Sequence, residues 1–135
     1  REPASVGVGA EGTAAGLTDG LKAAGAAKIY VAESADVDSF LVTPKVDVLA
    51  ALTESAAPAA VVIAANAEGK EVAGRLAARL GSGLLVDVVE IKEGGIGVHS
   101  IFGGAFTVDA QATGDLPVIT VRPGAVEAAP AHGAG

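Results

Sequence analysis

Residues Ala59 to Leu80, AAVVIAANAEGKEVAGRLAARL, join an uninterrupted apolar run to a charge-patterned helix through one short turn, and no other segment constrains the chain as much. Ala59 to Ala65 shows no polar alternation, as expected of a parallel strand covered by helices on both faces. From Glu68 onward Val72, Leu76 and Leu80 recur at every fourth position, while Glu71, Arg75 and Arg79 share another face at the same spacing. A buried strand, a tight turn and an amphipathic helix in that order predict an open α/β sheet. Asn66 to Lys70 then lies at the carboxyl edge of the sheet, where such folds gather ligands.

The rest of the chain alternates in the same way. Ala4 to Gly9 is predicted as a short strand, Thr13 to Ala24 as a weak helix laden with Ala and Gly, and Lys28 to Ala32 as a firmer strand. Thr43 before Pro44 predicts an N-cap with proline at the first helical position, opening a helix that runs toward Ser55 and Pro58. Gly81 to Gly83 ends the next helix, Leu84 to Ile91 forms a strand, and Gly94-Gly95 marks a hairpin whose returning strand is Ile96 to Ile101. Phe102 to Phe106 is a glycine-loosened bend, with strands after it at Thr107 to Ala112 and Pro117 to Arg122. This order predicts a three-layer α/β/α domain with a mostly parallel sheet and an antiparallel insertion near its C-terminal end. Residues 1–124 form the domain, and 125–135, built from Ala, Gly, Pro, Glu, Val and His, form a flexible linker or tail.

Composition removes several function classes. The chain has 135 residues, half of them apolar, which is enough for one domain with a substantial core. A net charge of −7 with nine Lys plus Arg and no basic block would repel a phosphate backbone, so nucleic acid is excluded as a partner. The apolar runs stop short of the roughly 18 residues that span a bilayer. With no cysteine there is neither disulfide nor sulfur-ligated metal; the compartment stays open, with a reducing cytoplasm as the unforced reading. A chain that opens at Arg1 and contains no methionine is expected to have lost its original N-terminus.

Local motifs carry little chemistry. Gly7, Gly9 and Gly12 spell GxGxxG, and Glu33 stands beyond them at about the interval of a ribose-binding acid. The strand ahead of them has only Val6 and Val8 as large apolar residues, however, and the helix behind carries Gly16 and Gly20, so a plain strand-to-helix connection is the stronger reading. Lys70 beside a helix start is not a P-loop lysine, because Glu71 stands where Ser or Thr is required, and Glu68 and Glu71 disfavour an anion there. His99 and Ser100 are neighbours in a strand and point to opposite faces, so they form no dyad. Gly81-Ser82-Gly83 comes after a helix, unlike a nucleophile elbow. His132, the other histidine, has no ligand at metal spacing, and Asp36 and Asp38 fit a solvated loop. Tyr30, Phe40, Phe102 and Phe106 are the aromatic inventory, and core packing is their expected role.

Three separated blocks give a more specific signal. Lys45-Val46-Asp47-Val48-Leu49, then PAAVVIAANAEGKEVAGRLAARLGSGLLVDVVEI, then HSIFGGAFTV and PVITVRPGA, resemble the N-terminal domain of the electron transfer flavoprotein alpha subunit. The similarity is strongest from Ala26 to Ala125, and actinobacterial members are nearest in style. The resemblance implies a fold of the adenine-nucleotide-hydrolase-like or Rossmann-like type and an electron carrier, not a catalyst of a substrate reaction. Such carriers are heterodimers that take electrons from flavin dehydrogenases, of the acyl-CoA dehydrogenase type in fatty acid oxidation, and pass them through FAD to a quinone oxidoreductase. FAD belongs mainly to the alpha subunit's C-terminal domain, expected beyond residues 125–135, so the resemblance places no cofactor-binding, catalytic or metal-binding residue in this chain.

The same resemblance makes this domain a scaffold that packs on the beta subunit. The beta subunit binds AMP at a loop equivalent in position to Asn66–Lys70, which the alpha domain is not expected to do. Family members also begin with an apolar strand and helix ahead of the segment matching Pro3 to Gly9, and the strand is central in their sheet. The 135-residue chain is therefore expected not to fold stably alone. Phe102, Phe106 and Arg122 are candidate interface residues, with core packing as the alternative. Two other readings remain open: a dinucleotide-binding domain resting on Gly7, Gly9, Gly12 and Glu33, and a universal-stress-like domain binding ATP or AMP.

Overall fold

The computed structural model describes residues 2–129, and these divide into two compact units, one up to Val48 together with the residues from Ala128, the other Leu49–Glu127. His132 and most of the expected tail lie outside the described residues.

The first unit holds a parallel pair, β1 (Ala4–Gly9) and β2 (Lys28–Glu33), in register from Ala4 opposite Lys28 to Gly9 opposite Glu33. Between them the expected helix over 13–24 is reduced to a 3-10 turn at Ala14–Gly16 and a six-residue helix, α1 (Thr18–Ala23). Neither buries a residue. Gly16 and Gly20 each weaken helix propagation by about 1 kcal/mol against alanine, and no packed face offsets that. The stretch around Asp36 and Asp38 is not an irregular loop but a single helical turn, α2 (Asp36–Ser39), which buries Val37. The helix α3 (Thr43–Ala56) starts with the Val46 N–H donating to the Val42 carbonyl at 3.1 Å, so its N-cap is Val42, one residue before the expected Thr43.

The second unit is built on a parallel sheet ordered β3–β8–β4, with β3 (Val61–Ala64), β8 (Val118–Val121) and β4 (Leu84–Val88). The central strand β8 is the most deeply buried, with Val118, Ile119 and Thr120 fully inaccessible. Helix α4 (Ala67–Leu80) covers this sheet with Val72, Ala73, Leu76 and Ala77. Its start is capped by the Asn66 side chain, which accepts the Gly69 N–H at 2.7 Å. Its end is a left-handed Gly81 with the Ser82 N–H returning to the Ala77 carbonyl at 2.9 Å, a Schellman closure. The apolar run of β3 is covered on one face only: Val61 and Ile63 are half-buried, and Val62 and Ala64 are exposed. The reason lies in α4, whose Gly69 packs against Ile63 and the Ala64 carbonyl on that one side.

The strand expected over Leu84 to Ile91 is two strands. Asp87 takes φ 60°, the β4–β8 register shifts between Leu85 and Val88, and the chain continues as β5 (Glu90–Lys92). β5 belongs to an antiparallel sheet with β6 (Ile96–Ile101) and β7 (Phe106–Gln111). The expected Gly94-Gly95 hairpin is present, with both glycines at positive φ. Parallel sheets flanked by helices, with an antiparallel segment after β4, make this an α/β fold as the sequence predicts.

Candidate functional site

Among the described residues, three places bear on the groups singled out from the sequence. The first is a cleft of about 520 Å³ at the carboxyl end of β2, lined by Glu33, Asp36, Phe40, Thr43 and Asp47 among others. Three carboxylates give it an anionic wall. Glu33 itself is engaged: its Oε1 accepts the Ala14 N–H at 2.8 Å. The Ala14 N–H first and the Gly12 N–H second hold the Glu33 carboxyl below the usual carboxylate range. The glycine-rich turn is thus filled by a side chain of the chain's own. It leads into a 3-10 turn and a six-residue helix too short to direct a dipole at a pyrophosphate. The dinucleotide reading of Gly7, Gly9, Gly12 and Glu33 is therefore corrected: Glu33 ties the turn together and is not held out toward a ribose. FAD fits neither this turn nor the carboxylate-lined cleft.

The second place is the turn at Asn66–Lys70, at the carboxyl edge of β3 as expected. A Cβ on Gly69 would stand 2.0 Å from the Ala64 carbonyl oxygen, so helix and strand meet here without side-chain clearance. Glu71 pairs with Arg75 at 2.8 Å one turn further on.

The third place lies along the same carboxyl edge, where β8 and β4 end beside β3. Arg122, just past β8, directs Nη2 and Nε to the Asp87 Oδ2 at 2.8 and 3.2 Å, and Nη2 also donates to the Ser100 carbonyl at 3.3 Å. The Asp87 N–H donates to the Thr120 hydroxyl at 2.8 Å. The Arg122 guanidinium, with Lys70 and His99 contributing more weakly, holds the Asp87 carboxyl below its ordinary value. Two residues beyond Ser100 the chain turns through Phe102, Gly103 and Gly104, all at positive φ, before β7 begins.

The aromatics correct a further expectation. Phe40, Phe102 and Phe106 are 60%, 78% and 61% exposed, and Tyr30 alone among the aromatic residues is half-buried. Phe102 and Phe106 meet edge to face at 5.8 Å and 79°, gathered by the hairpin because Phe106 stands opposite Ile101 in the register. Cross-strand pairing puts Phe106 with Ile101 and Val108 with His99 on one face of the antiparallel sheet, where Ile101 and Val108 are also exposed. The opposite face carries the Lys92–Asp109 ion pair at 2.7 Å. His99 and Ser100 point to opposite faces, as expected. Sequence reasoning singled out Phe102, Phe106 and Arg122 but missed Asp87 and Thr120. One signal was available: Asp87 is the lone acid inside the apolar run Leu84 to Val89.

Among the described residues no group of three or more His, Asp or Glu side chains gathers as a metal set, and no helix is long and apolar enough to cross a membrane. The fold defines a protein of the parallel α/β class that carries an exposed aromatic pair on an antiparallel hairpin. Residues 2–135 match the family described as electron transfer flavoprotein domain. The chain is 77% identical over 134 residues to the electron transfer flavoprotein subunit alpha of Mycobacterium tuberculosis and 72% identical to that of Mycobacterium leprae, covering 99% of itself and 42% of each relative. A more distant relative, the subunit alpha of Syntrophomonas wolfei, is 32% identical over 114 residues, which is 82% of this chain and 36% of the relative. The chain belongs to the electron transfer flavoprotein family and spans less than half the length of the alpha subunits it matches.

Proposed function

We propose that this chain is the scaffold portion of the alpha subunit of an FAD-containing electron carrier. The carrier takes electrons from flavin dehydrogenases of the acyl-CoA dehydrogenase type and delivers them to a quinone oxidoreductase in the cytoplasm. FAD is held mainly by a C-terminal domain, residues 1–124 are the N-terminal domain, and 125–135 link the two. The domain packs on the beta subunit through the face that carries Phe102 and Phe106, with Arg122 at its base. The carrying observation is the exposed edge-to-face pair Phe102–Phe106, standing on a sheet face with exposed Ile101 and Val108, in a chain whose relatives are named as one subunit of a flavoprotein. Paired exposed aromatics of this kind are the usual anchors of an interface.

The test uses the full-length alpha subunit co-expressed with its beta subunit. A Phe102→Ala, Phe106→Ala double variant is expected to weaken subunit association at least about tenfold. A heterodimer of unchanged affinity would sink the docking reading. A purified two-subunit protein without a flavin absorption band would sink the electron-carrier reading.

A further inference from the structure

Building on that docking reading, we propose that Asp87 and Arg122 form a clamp that fixes the Phe102–Phe106 hairpin in its docking geometry, so that Arg122 is a positioning residue and not a contact of the partner subunit. One guanidinium ties three segments together. The Arg122 backbone N–H donates to the Val88 carbonyl at 2.8 Å, which anchors it to the end of β4. Its side chain holds Asp87 where the chain leaves the parallel sheet, and reaches Ser100 on the last stretch of β6 before Phe102. Asp87 is in turn fixed from below. Its amide donates to Thr120, which is fully buried in the central strand, and its φ of 60° is a conformation that Asp and Asn tolerate better than other side chains.

Beyond the β6–β7 ladder, which ends at Ile101 opposite Phe106, the turn itself is closed only by the Ala105 N–H donating to the Phe102 carbonyl at 3.3 Å among the hydrogen bonds of the described residues. Phe102, Gly103 and Gly104 all sit at positive φ, and the side chains of Phe102 and Phe106 contact each other in the open. A segment with so few buried apolar contacts opens locally at low cost, and a partner that needs it closed must then supply the ordering free energy. The Asp87–Arg122 pair is too exposed to contribute much to global stability. Its leverage is local, on the strand switch and the carbonyl two residues before Phe102.

The test measures subunit association and site-resolved amide exchange on the full-length alpha subunit with its beta subunit, comparing Arg122→Gln, Arg122→Lys and Asp87→Asn with the Phe102→Ala, Phe106→Ala variant. Asp87→Asn keeps a side chain suited to the positive φ while deleting the charge. Arg122→Gln and Asp87→Asn are expected to speed exchange across residues 101–106 while leaving α4 and β8 protected, and to weaken association roughly tenfold. Arg122→Lys, which keeps the charge but loses the fork, is expected to restore part of both. If Arg122→Gln fails to fold, Asp87→Asn and Arg122→Lys carry the same comparison. Weakened association with hairpin exchange unchanged would make Arg122 a direct contact and overturn the clamp. Loss of binding in the double phenylalanine variant with none in the clamp variants would overturn the clamp and leave the docking reading standing. Full binding by the phenylalanine variant would remove the docking reading and with it the function of the clamp.

Discussion

Glu33, the last residue of β2, reaches back across the sheet pair to accept the Ala14 backbone N–H on its Oε1 at 2.8 Å, closing the turn after β1. The carboxylate does for this turn what a bound anion does in a nucleotide fold: it satisfies donors that the 3-10 geometry leaves open.

Because the N–H groups of Ala14 and Gly12 favour the ionised form, the Glu33 carboxyl titrates below its ordinary 4.5. A depressed folded-state value means that the contribution of this contact is complete above the unfolded-state pKa and is lost as pH falls through the folded one. A carbon-detected NMR titration should place the Glu33 midpoint under 4.5, and Glu33→Ala should speed amide exchange at Ala14. A midpoint at or above the ordinary value would remove this account of the turn.

Two glycines of one helix should respond oppositely to alanine. Gly69→Ala drives a Cβ to within 2.0 Å of the Ala64 carbonyl oxygen, a backbone atom with little freedom to move, and should cost about 2–3 kcal/mol. Gly74→Ala meets nothing within 4 Å and should stabilise by roughly 0.5–1 kcal/mol, since alanine is the better helix former. Chemical denaturation of the two variants decides it, and similar midpoints would contradict the packing described for α4.

Leu76 is fully buried beneath α4, so Leu76→Ala should cost about 2–5 kcal/mol, depending on how far the surroundings collapse. Asn66→Ala removes only the cap to Gly69 and should cost about 1 kcal/mol. An Asn66 loss as large as the Leu76 loss would mean that the cap carries more than one hydrogen bond.

Asp87 separates backbone from charge. Asp87→Ala and Asp87→Asn both delete the ion pair with Arg122, but alanine is strained at φ 60° and should be less stable by about 1 kcal/mol more. The Arg122-lowered carboxyl contributes stability above its unfolded-state pKa and loses it as pH falls through the folded value. Because the pair is half-exposed and acts locally, the check is a site-resolved titration: the Asp87 carboxyl should titrate below its ordinary value and move back up in Arg122→Gln. A midpoint that does not move in Arg122→Gln would show that the guanidinium is not what holds the carboxyl down.

Helix α4, its Gly81 stop, the glycine hairpin and the α/β class were legible because each rests on periodicity or turn chemistry contained within one segment. The alternation of small residues over 13–24 looks helical, yet without a face to bury it shrinks to α1 and one 3-10 turn. The aromatics depart from expectation for a related reason. Composition says that Phe prefers the interior, but Phe102 and Phe106 are held outward by a hairpin whose register only the paired strands β6 and β7 define. The Asp87–Arg122 contact joins residues 35 positions apart, and no local pattern connects them. The amino-acid sequence by itself determined the alternation of strands and helices, because hydrophobic period and capping act over a few residues. Tertiary structure alone decided that a bulge at Asp87 would meet the end of β8, because only the side-by-side pairing of β4 and β8 brings the acid under the guanidinium.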